Sequence, residues 1–284
     1  MTASEDVSFA KMHGTGNDFL VLDNRAYQFT DQELSDVATA WCRRRYGIGA
    51  DGLLALDHPR TLAADYRMHY VNADGSRATM CGNGARCLFR FAQRVGFNKA
   101  ELSFNTDAGL YRATYIDEDQ RQIRLFVPEV SDIRSDLVLE QAVPNEIDAL
   151  HYVHAGTEHL VAIVGDVETV PVRKWGRQLR HDPTLEPTGA NVNFVAANGT
   201  DTVSLRTYEK GVEDETLSCG TGVLAAAVIV EQTRRTPALG PVQVHTKGGR
   251  LSVGIAETER GPERYLEGPA VLVYQGTIDR PAPE

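Results

Sequence analysis

Ser218-Cys219-Gly220-Thr221-Gly222 runs directly into Val223-Leu224-Ala225-Ala226-Ala227-Val228-Ile229-Val230. The second stretch carries no polar residue, and strong helix formers dominate it. A helix apolar on every side is a buried one. The junction therefore predicts a cysteine at the N-terminus of a buried helix. The unpaired N–H groups and positive dipole end of such a helix favour a thiolate. The same N–H groups, with glycines that permit close approach, make a site for an anion such as a carboxylate.

The arrangement occurs twice. Met80-Cys81-Gly82-Asn83-Gly84-Ala85-Arg86-Cys87 leads into Leu88-Phe89-Arg90-Phe91-Ala92, a second predicted helix. Other landmarks keep step with it. Gly14 precedes Cys81 by 81 − 14 = 67 positions, and Gly156 precedes Cys219 by 219 − 156 = 63. Tyr70 and Tyr208 each stand 11 positions before their cysteine, by 81 − 70 and 219 − 208. Thr106-Asp107-Ala108-Gly109 begins 106 − 81 = 25 after the first, and Thr246-Lys247-Gly248-Gly249 begins 246 − 219 = 27 after the second. Landmarks in fixed order at near-equal spacing indicate a duplication.

In the first half the pattern predicts strands at 19–22, 53–56, 65–71, 102–105, 111–115 and 123–127. A helix is predicted at 31–45, capped by Thr30 or Asp31 with Glu33 in its first turn. Pro128 and the polar segment after it read as a domain junction. Several strands and one all-apolar helix per half suggest a curled sheet around a central helix. Two such halves facing each other would bring both helix starts to one cleft.

Composition bounds the function. The chain has 284 residues, 42% hydrophobic and 24% charged, as in a globular protein of two domains. A formal net charge of −10 argues against nucleic acid as the main partner. No apolar run is long enough to span a membrane, and the N-terminus has no signal-peptide pattern. Four cysteines make no disulfide framework in a chain of this length, so they are expected as reduced thiols of a cytoplasmic protein. Cys42 and Cys87 head no helix and read as small buried hydrophobes.

Two thiols flanking one carbon can invert it. One thiolate removes a proton from one face, and the other thiol donates to the opposite face. Sulfur suits this because its pKa is near neutral and falls at a helix N-terminus. The carbanion needs donors aimed at its neighbouring carboxylate, and the helix-start N–H groups are the obvious ones.

With these residues in view, the sequence resembles the diaminopimelate epimerase family. The matching segments are Lys11-Met12-His13-Gly14-Thr15-Gly16-Asn17-Asp18-Phe19, Asn72-Ala73-Asp74-Gly75 through Cys87, Asn191-Val192-Asn193-Phe194, and Arg206-Thr207-Tyr208-Glu209 through Gly222. The resemblance implies an α+β fold of two pseudo-symmetric domains, each a curled sheet or barrel around a central helix. One would hold residues 1–127 with 270–284 and Cys81; the other would hold 128–269 and Cys219. It implies interconversion of LL- and meso-diaminopimelate without pyridoxal phosphate or metal. Cys81 would donate and Cys219 accept a proton in the LL direction. Asn17, Asn72 and Asn191 match substrate-binding asparagines, and Gly82, Asn83, Gly220 and Thr221 match anion-binding helix starts. His159 and Glu209 match groups that adjust the thiols and hold the reacting amine. The family is homodimeric, and Tyr274 matches a position near its interface.

Two positions depart from the family pattern. Lys210 stands where an arginine is usual, and Thr157-Glu158 stand where Asn-Pro often precedes the histidine. Thr157 would inherit the substrate contact of that asparagine, and Lys210 would meet the distal carboxylate.

Blander readings stand beside these. Asn72 in Asn-Ala-Asp-Gly is also a good turn former. Glu209 could be a surface carboxylate, and Glu213, Asp214 and Glu215 read as solvated ones. His151, His154, Glu158 and His159 could suggest a metal hydrolase, but they lack the helical H-E-x-x-H spacing, and on a strand His151 and His154 face opposite ways. A thiol hydrolase using Cys219 with His159 leaves the matching Cys81 unexplained. A non-catalytic binding protein would be expected to lose one cysteine. Gly14-Thr15-Gly16 precedes a strand rather than following one, so it is no dinucleotide fingerprint.

Overall fold

The computed structural model describes residues 6–117, 119, 121–233 and 240–280. The extreme N-terminal residues 1–5 and the last four of the C-terminal segment lie outside the described ones. The chain divides into two compact units, Met1–Leu125 with Gly268–Glu284, and Phe126–Glu267. The sequence reading set these divisions at 127/128 and 269/270.

The first unit opens with a hairpin of Asp6–Gly14 and Asn17–Asp23. Asn17–Asp23 lies parallel to Gly52–Asp57, which pairs antiparallel with Tyr66–Asn72. Tyr66–Asn72 runs parallel to Glu101–Thr106, and a hairpin leads on to Gly109–Tyr115. The second unit repeats this order. Ile147–His154 pairs antiparallel with Glu158–Val164, which is parallel to Asn191–Ala197. Thr202–Glu209 follows antiparallel, then Val242–Thr246 parallel to it, then the hairpin partner Gly249–Thr258. The sequence of antiparallel and parallel pairings is the same in both units, so the duplication read from landmark spacing is a duplication of topology.

In each unit the strands wrap one helix. Gly82–Arg94 packs on Asp6–Gly14, Asn17–Asp23, Gly52–Asp57, Tyr66–Asn72 and Gly109–Tyr115. Gly220–Thr233 packs on the strands of its own unit and is buried without a break from Gly222 to Val230. That unbroken burial is what its lack of a polar face demands. Each fully buried Val, Leu or Ile there contributes roughly 1.5–3 kcal/mol, so the helix has no side on which water is tolerated.

The outer faces are covered too. In the first unit Leu34, Val37, Ala38 and Trp41 of the helix Asp31–Trp41 pack against Leu20, Leu22 and Leu53. In the second, Val172–Arg180, a helix absent from the sequence reading, packs on Asn191–Ala197 and Thr202–Glu209. Strands covered on both faces read as near-continuous apolar runs rather than alternating ones. Leu53–Leu56 and Val192–Ala196 are such runs.

The helix expected at 31–45 ends earlier, at Trp41. Its start is as expected, with a capping box in which Thr30 and Glu33 exchange hydrogen bonds. Its end is set by the chain turning back. Gly49 N–H donates to Trp41 O and Ala50 N–H to Cys42 O, at 3.0 Å each, so loop amides take the carbonyls that another helical turn would have used.

Candidate active site

In the first unit the hairpin turn sets the geometry. Gly14 and Asn17 pair across a two-residue loop in which both Thr15 (φ 49°) and Gly16 (φ 83°) are left-handed. Positive φ at both central residues is the turn that matches strand twist. For β-branched Thr15 it is strained, and such strain clusters at functional sites. Thr15 is buried, and its hydroxyl donates to Asn83 Oδ1 at 3.3 Å.

Cys81 is the N-cap of Gly82–Arg94 in extended conformation, as its spacing predicted. Its sulfur accepts the Gly84 N–H at 3.5 Å and lies 3.6 Å from Asn17 Oδ1. Asn83 Nδ2 donates to the same Asn17 oxygen at 3.3 Å, and Arg86 Nη2 donates to Asn83 Oδ1 at 2.7 Å. Arg86 is fully buried, and burial lowers its pKa to about 10. Asn72 ends its strand in a turn. Its backbone N–H donates to Ser76 O, and its side chain donates to the Ser76 hydroxyl at 3.0 Å.

In the second unit Cys219 heads Gly220–Thr233, its carbonyl accepting the Val223 N–H at 2.9 Å. Cys219 is buried, with Sγ 3.4 Å from the Thr221 hydroxyl. Cys42 and Cys87 are also buried, and burial pushes both thiols up to about 12. Neither can serve as an acid or base near neutral pH, which agrees with their reading as hydrophobes.

His159 is fully buried, and its ring state follows from its neighbours. Asn193 Nδ2 lies 3.0 Å from His159 Nδ1 and also donates to the carbonyls of Leu160 (3.3 Å) and Asn191 (3.5 Å). Backbone carbonyls only accept, so Asn193 must turn its NH₂ this way, and His159 Nδ1 must accept. Burial, then the Lys210 charge, lowers the His159 pKa to about 3. The ring is therefore neutral with its proton on Nε2, a buried atom with no protein hydrogen-bond partner. A histidine in this state donates a hydrogen bond and is not a base for Cys219, which removes the physical ground for a thiol hydrolase.

The two departures from the family pattern touch. Lys210 Nζ lies 2.5 Å from Glu158 Oε2, which also accepts the Thr157 hydroxyl at 2.9 Å. Burial alone would raise the Glu158 carboxyl, but the hydrogen bonds from Lys210 and Thr157 outweigh it and hold it at about 2. Asn191 is committed on both sides of its amide, donating to Glu158 O at 3.2 Å and accepting the Lys210 backbone N–H at 2.8 Å. Glu209 is half-buried at the end of its strand, in register with Asp214.

Glu215 corrects the sequence reading. It is not a solvated carboxylate: its side chain is 14% exposed and takes both Arg206 Nε at 2.7 Å and Lys247 Nζ at 2.9 Å. The strand Asp214–Thr216 pairs beside Thr202–Glu209, which sets Glu215 opposite Tyr208 and within reach of Arg206. Glu213 and Asp214 do sit at the surface, paired with Arg180 and Arg173. The four residues of the metal reading are not gathered. His151 meets the Asp136 N–H and His154 meets Ser131, and no group of metal-binding side chains forms among the described residues.

Sequence reasoning missed Asn193 and Arg86 as parts of the site. Asn193 had a signal. It stands two residues after Asn191 on one strand and so shares its face. Arg86 had none, because nothing in the local sequence shows that this arginine is buried or that Pro269, far along the chain, meets its guanidinium.

A family model described as diaminopimelate epimerase matches residues 9–127 and 151–273. A diaminopimelate epimerase of Chlorobaculum tepidum is 41% identical over 272 residues, covering 94% of this chain and 99% of its own. Two solved structures share the fold. A phenazine biosynthesis protein of the PhzF family from Bacillus anthracis superposes with a TM-score of 0.74 at 15% identity, covering 96% of this chain and 99% of its own. A probable proline racemase from Agrobacterium radiobacter K84, solved with bound carbonate, does so with 0.66 at 16% identity, covering 96% and 92%.

Proposed function

We propose, for a chain that belongs to the diaminopimelate epimerase family, that Cys81 and Cys219 act as the acid and base on opposite faces of one α-carbon. The activity is epimerisation of LL-2,6-diaminopimelate to the meso form, an isomerase reaction of lysine and peptidoglycan precursor biosynthesis that uses no pyridoxal phosphate. In the LL direction the Cys219 thiolate takes the α-proton, and the electron pair left on carbon is delocalised into the carboxylate. Cys81 then gives its thiol proton to the other face. The turnover ends with Cys219 as thiol and Cys81 as thiolate, so the reverse reaction exchanges their roles. The first-turn N–H groups of both helices, at Gly82, Asn83, Gly220 and Thr221, hold the reacting carboxylate and stabilise the charge it gains.

The observation that carries this reading is the matched placement of the two helix-start cysteines on a duplicated topology. Asn17 lies three positions after Gly14, and His159 three after Gly156. Asn17 offers its oxygen to Cys81, which suits a thiol. His159, at the matching place, has an Nε2 with no protein hydrogen-bond partner, and the Thr221 hydroxyl, 3.4 Å from the Cys219 sulfur, can donate to a thiolate there. Glu209 receives the reacting amine. Incubation with LL-diaminopimelate in D₂O tests the function. One solvent deuterium should enter at the inverted α-carbon, and substrate that stays LL and unlabelled would refute it.

Asn72, Thr157, Asn191 and Lys210 hold the distal amino-acid group. Lys210 supplies the cation, as a point charge where a guanidinium would form a fork. Its partner Glu158 holds it in place until the substrate carboxylate arrives. Lys210→Ala is expected to raise KM about tenfold and lower kcat/KM, because remote binding energy also positions the reacting centre. Lys210→Arg is expected to be tolerated. Steady-state kinetics decides, and a wild-type KM in Lys210→Ala overturns the assignment.

The enzyme works in the cytoplasm, where thiols stay reduced. Among the described residues no helix is long and apolar enough to cross a membrane. It acts as a homodimer through the strand Val271–Asp279, where Val273 and Tyr274 are exposed and Tyr274 packs edge-on against Phe9. Sedimentation velocity should give the mass of two chains, and Tyr274→Glu should give one; a wild-type monomer overturns this.

A further inference from the structure

The loop after the first outer helix carries a carboxylate that the reading above leaves without a part. Asp51 Oδ2 accepts Asn17 Nδ2 at 2.8 Å and the Asp18 N–H at 3.2 Å, while Oδ1 takes Arg44 Nη2 at 3.0 Å. Asn17 is the residue whose oxygen meets Cys81. A single line of hydrogen bonds thus runs from Arg86 through Asn83 and Asn17 to Asp51, with the Cys81 sulfur beside its third member.

The polarity of that line is fixed from both ends. A guanidinium has donors only, so Asn83 must turn its oxygen to Arg86 and its NH₂ to Asn17. A carboxylate has acceptors only, so Asn17 must turn its NH₂ to Asp51. Both constraints leave the Asn17 oxygen facing the sulfur. An acceptor there favours the S–H form, because a hydrogen bond made by the neutral form disfavours ionisation. The Gly84 N–H and the helix N-terminus pull towards thiolate, and the Asn17 oxygen offsets them. Reversal of Asn17 would set donors on the sulfur and empty it of its proton.

We propose that Asp51 is a positioning residue for the Cys81 proton: by holding the Asn17 amide it keeps an acceptor on the sulfur and the thiol loaded for donation. The proposal rests on Cys81 as the acid of the LL direction. The charged and titratable groups packed around the line are Lys11 and Asp18, paired at 2.6 Å, Arg44 and Asp51 of the 42–51 loop, Arg86 of the helix, His13, which accepts the Gly16 N–H, and the buried thiols of Cys42 and Cys87. Loss of the Asp51 charge would by itself lower the thiol pKa, so charge and hydrogen bonding must be separated.

The pH dependence of iodoacetamide alkylation at Cys81, followed by peptide mass mapping without substrate, separates them. Asn17→Ala removes the acceptor and no charge. Asp51→Asn removes the charge and keeps an acceptor oxygen. Asp51→Ala removes both. Asn17→Ala and Asp51→Ala are expected to lower the midpoint by about half a pH unit or more, and Asp51→Asn by less than half as much. A wild-type midpoint in Asn17→Ala, or an Asp51→Asn shift as large as that of Asp51→Ala, overturns the proposal. If Asp51→Ala does not fold, an Asp51→Asn shift equal to that of Asn17→Ala overturns it. The measurement needs no turnover, so its failure leaves the catalytic reading standing; that reading is tested separately, by epimerisation in Cys81→Ala.

Discussion

Cys81→Ala and Cys219→Ala are each expected to lower epimerisation of LL-diaminopimelate by about 1,000-fold or more, the scale set by loss of a positioned acid or base, with the fold retained. Alanine fills most of the space of either side chain, and neither sulfur is buried among apolar groups alone. The two variants differ in what they keep. With Cys81 absent, Cys219 can still take the α-proton of the LL isomer and return solvent deuterium to the same face. Cys81→Ala should therefore exchange the LL isomer without inverting it. Cys219→Ala should instead exchange the D-configured centre of the meso isomer. Chiral chromatography with mass detection in D₂O reads inversion and exchange together. Wild-type epimerisation in either variant overturns the two-thiol mechanism.

Gly222→Ala is expected to destabilise the protein by about 3 kcal/mol, as an overpacked buried site that also breaks buried hydrogen bonds. A methyl at Gly222 would lie 2.4 Å from Asn193 Oδ1 and 3.4 Å from Cys219 Cβ. Asn193 cannot retreat. Its oxygen takes the Thr207 hydroxyl at 2.9 Å, and its NH₂ is shared among His159 and two carbonyls. The gain from alanine over glycine in a helix, about 1 kcal/mol, is too small to compensate. The matched glycine of the first unit is the control, since Gly84 and Gly222 both stand three residues after their cysteine. The nearest atoms to a methyl at Gly84 would be flexible side-chain ends, Leu54 Cδ2 at 3.0 Å and Met68 Cε at 3.4 Å, which can shift. Thermal unfolding should show Gly222→Ala below Gly84→Ala by several degrees. Equal midpoints would mean that Asn193 is not held as described.

The expectations made from sequence succeeded where the physics is local. An apolar helix with no polar face has to be buried, and Val223–Val230 is. A Thr-x-x-Glu pattern caps a helix, and Thr30 with Glu33 does. They fell short where a partner arrives from elsewhere in the chain. The first outer helix stops at Trp41 because loop amides return to it. Glu215 leaves solvent because a neighbouring strand brings Arg206. Val172–Arg180 escaped notice because its apolar positions are few and become a face only once two strands lie beneath them.

Landmark spacing along the chain therefore determined the duplication, the two central helices and the two cysteines at their starts, since each depends on the order and polarity of adjacent residues. The protonation sense of the site was decided only in three dimensions. Whether Asn17 shows oxygen or nitrogen to Cys81 depends on Asp51 and Arg86, and whether His159 is donor or base depends on Asn193 and burial. An amide or an imidazole can bond either way round, so its orientation is set by the fixed donors and acceptors that folding brings against it.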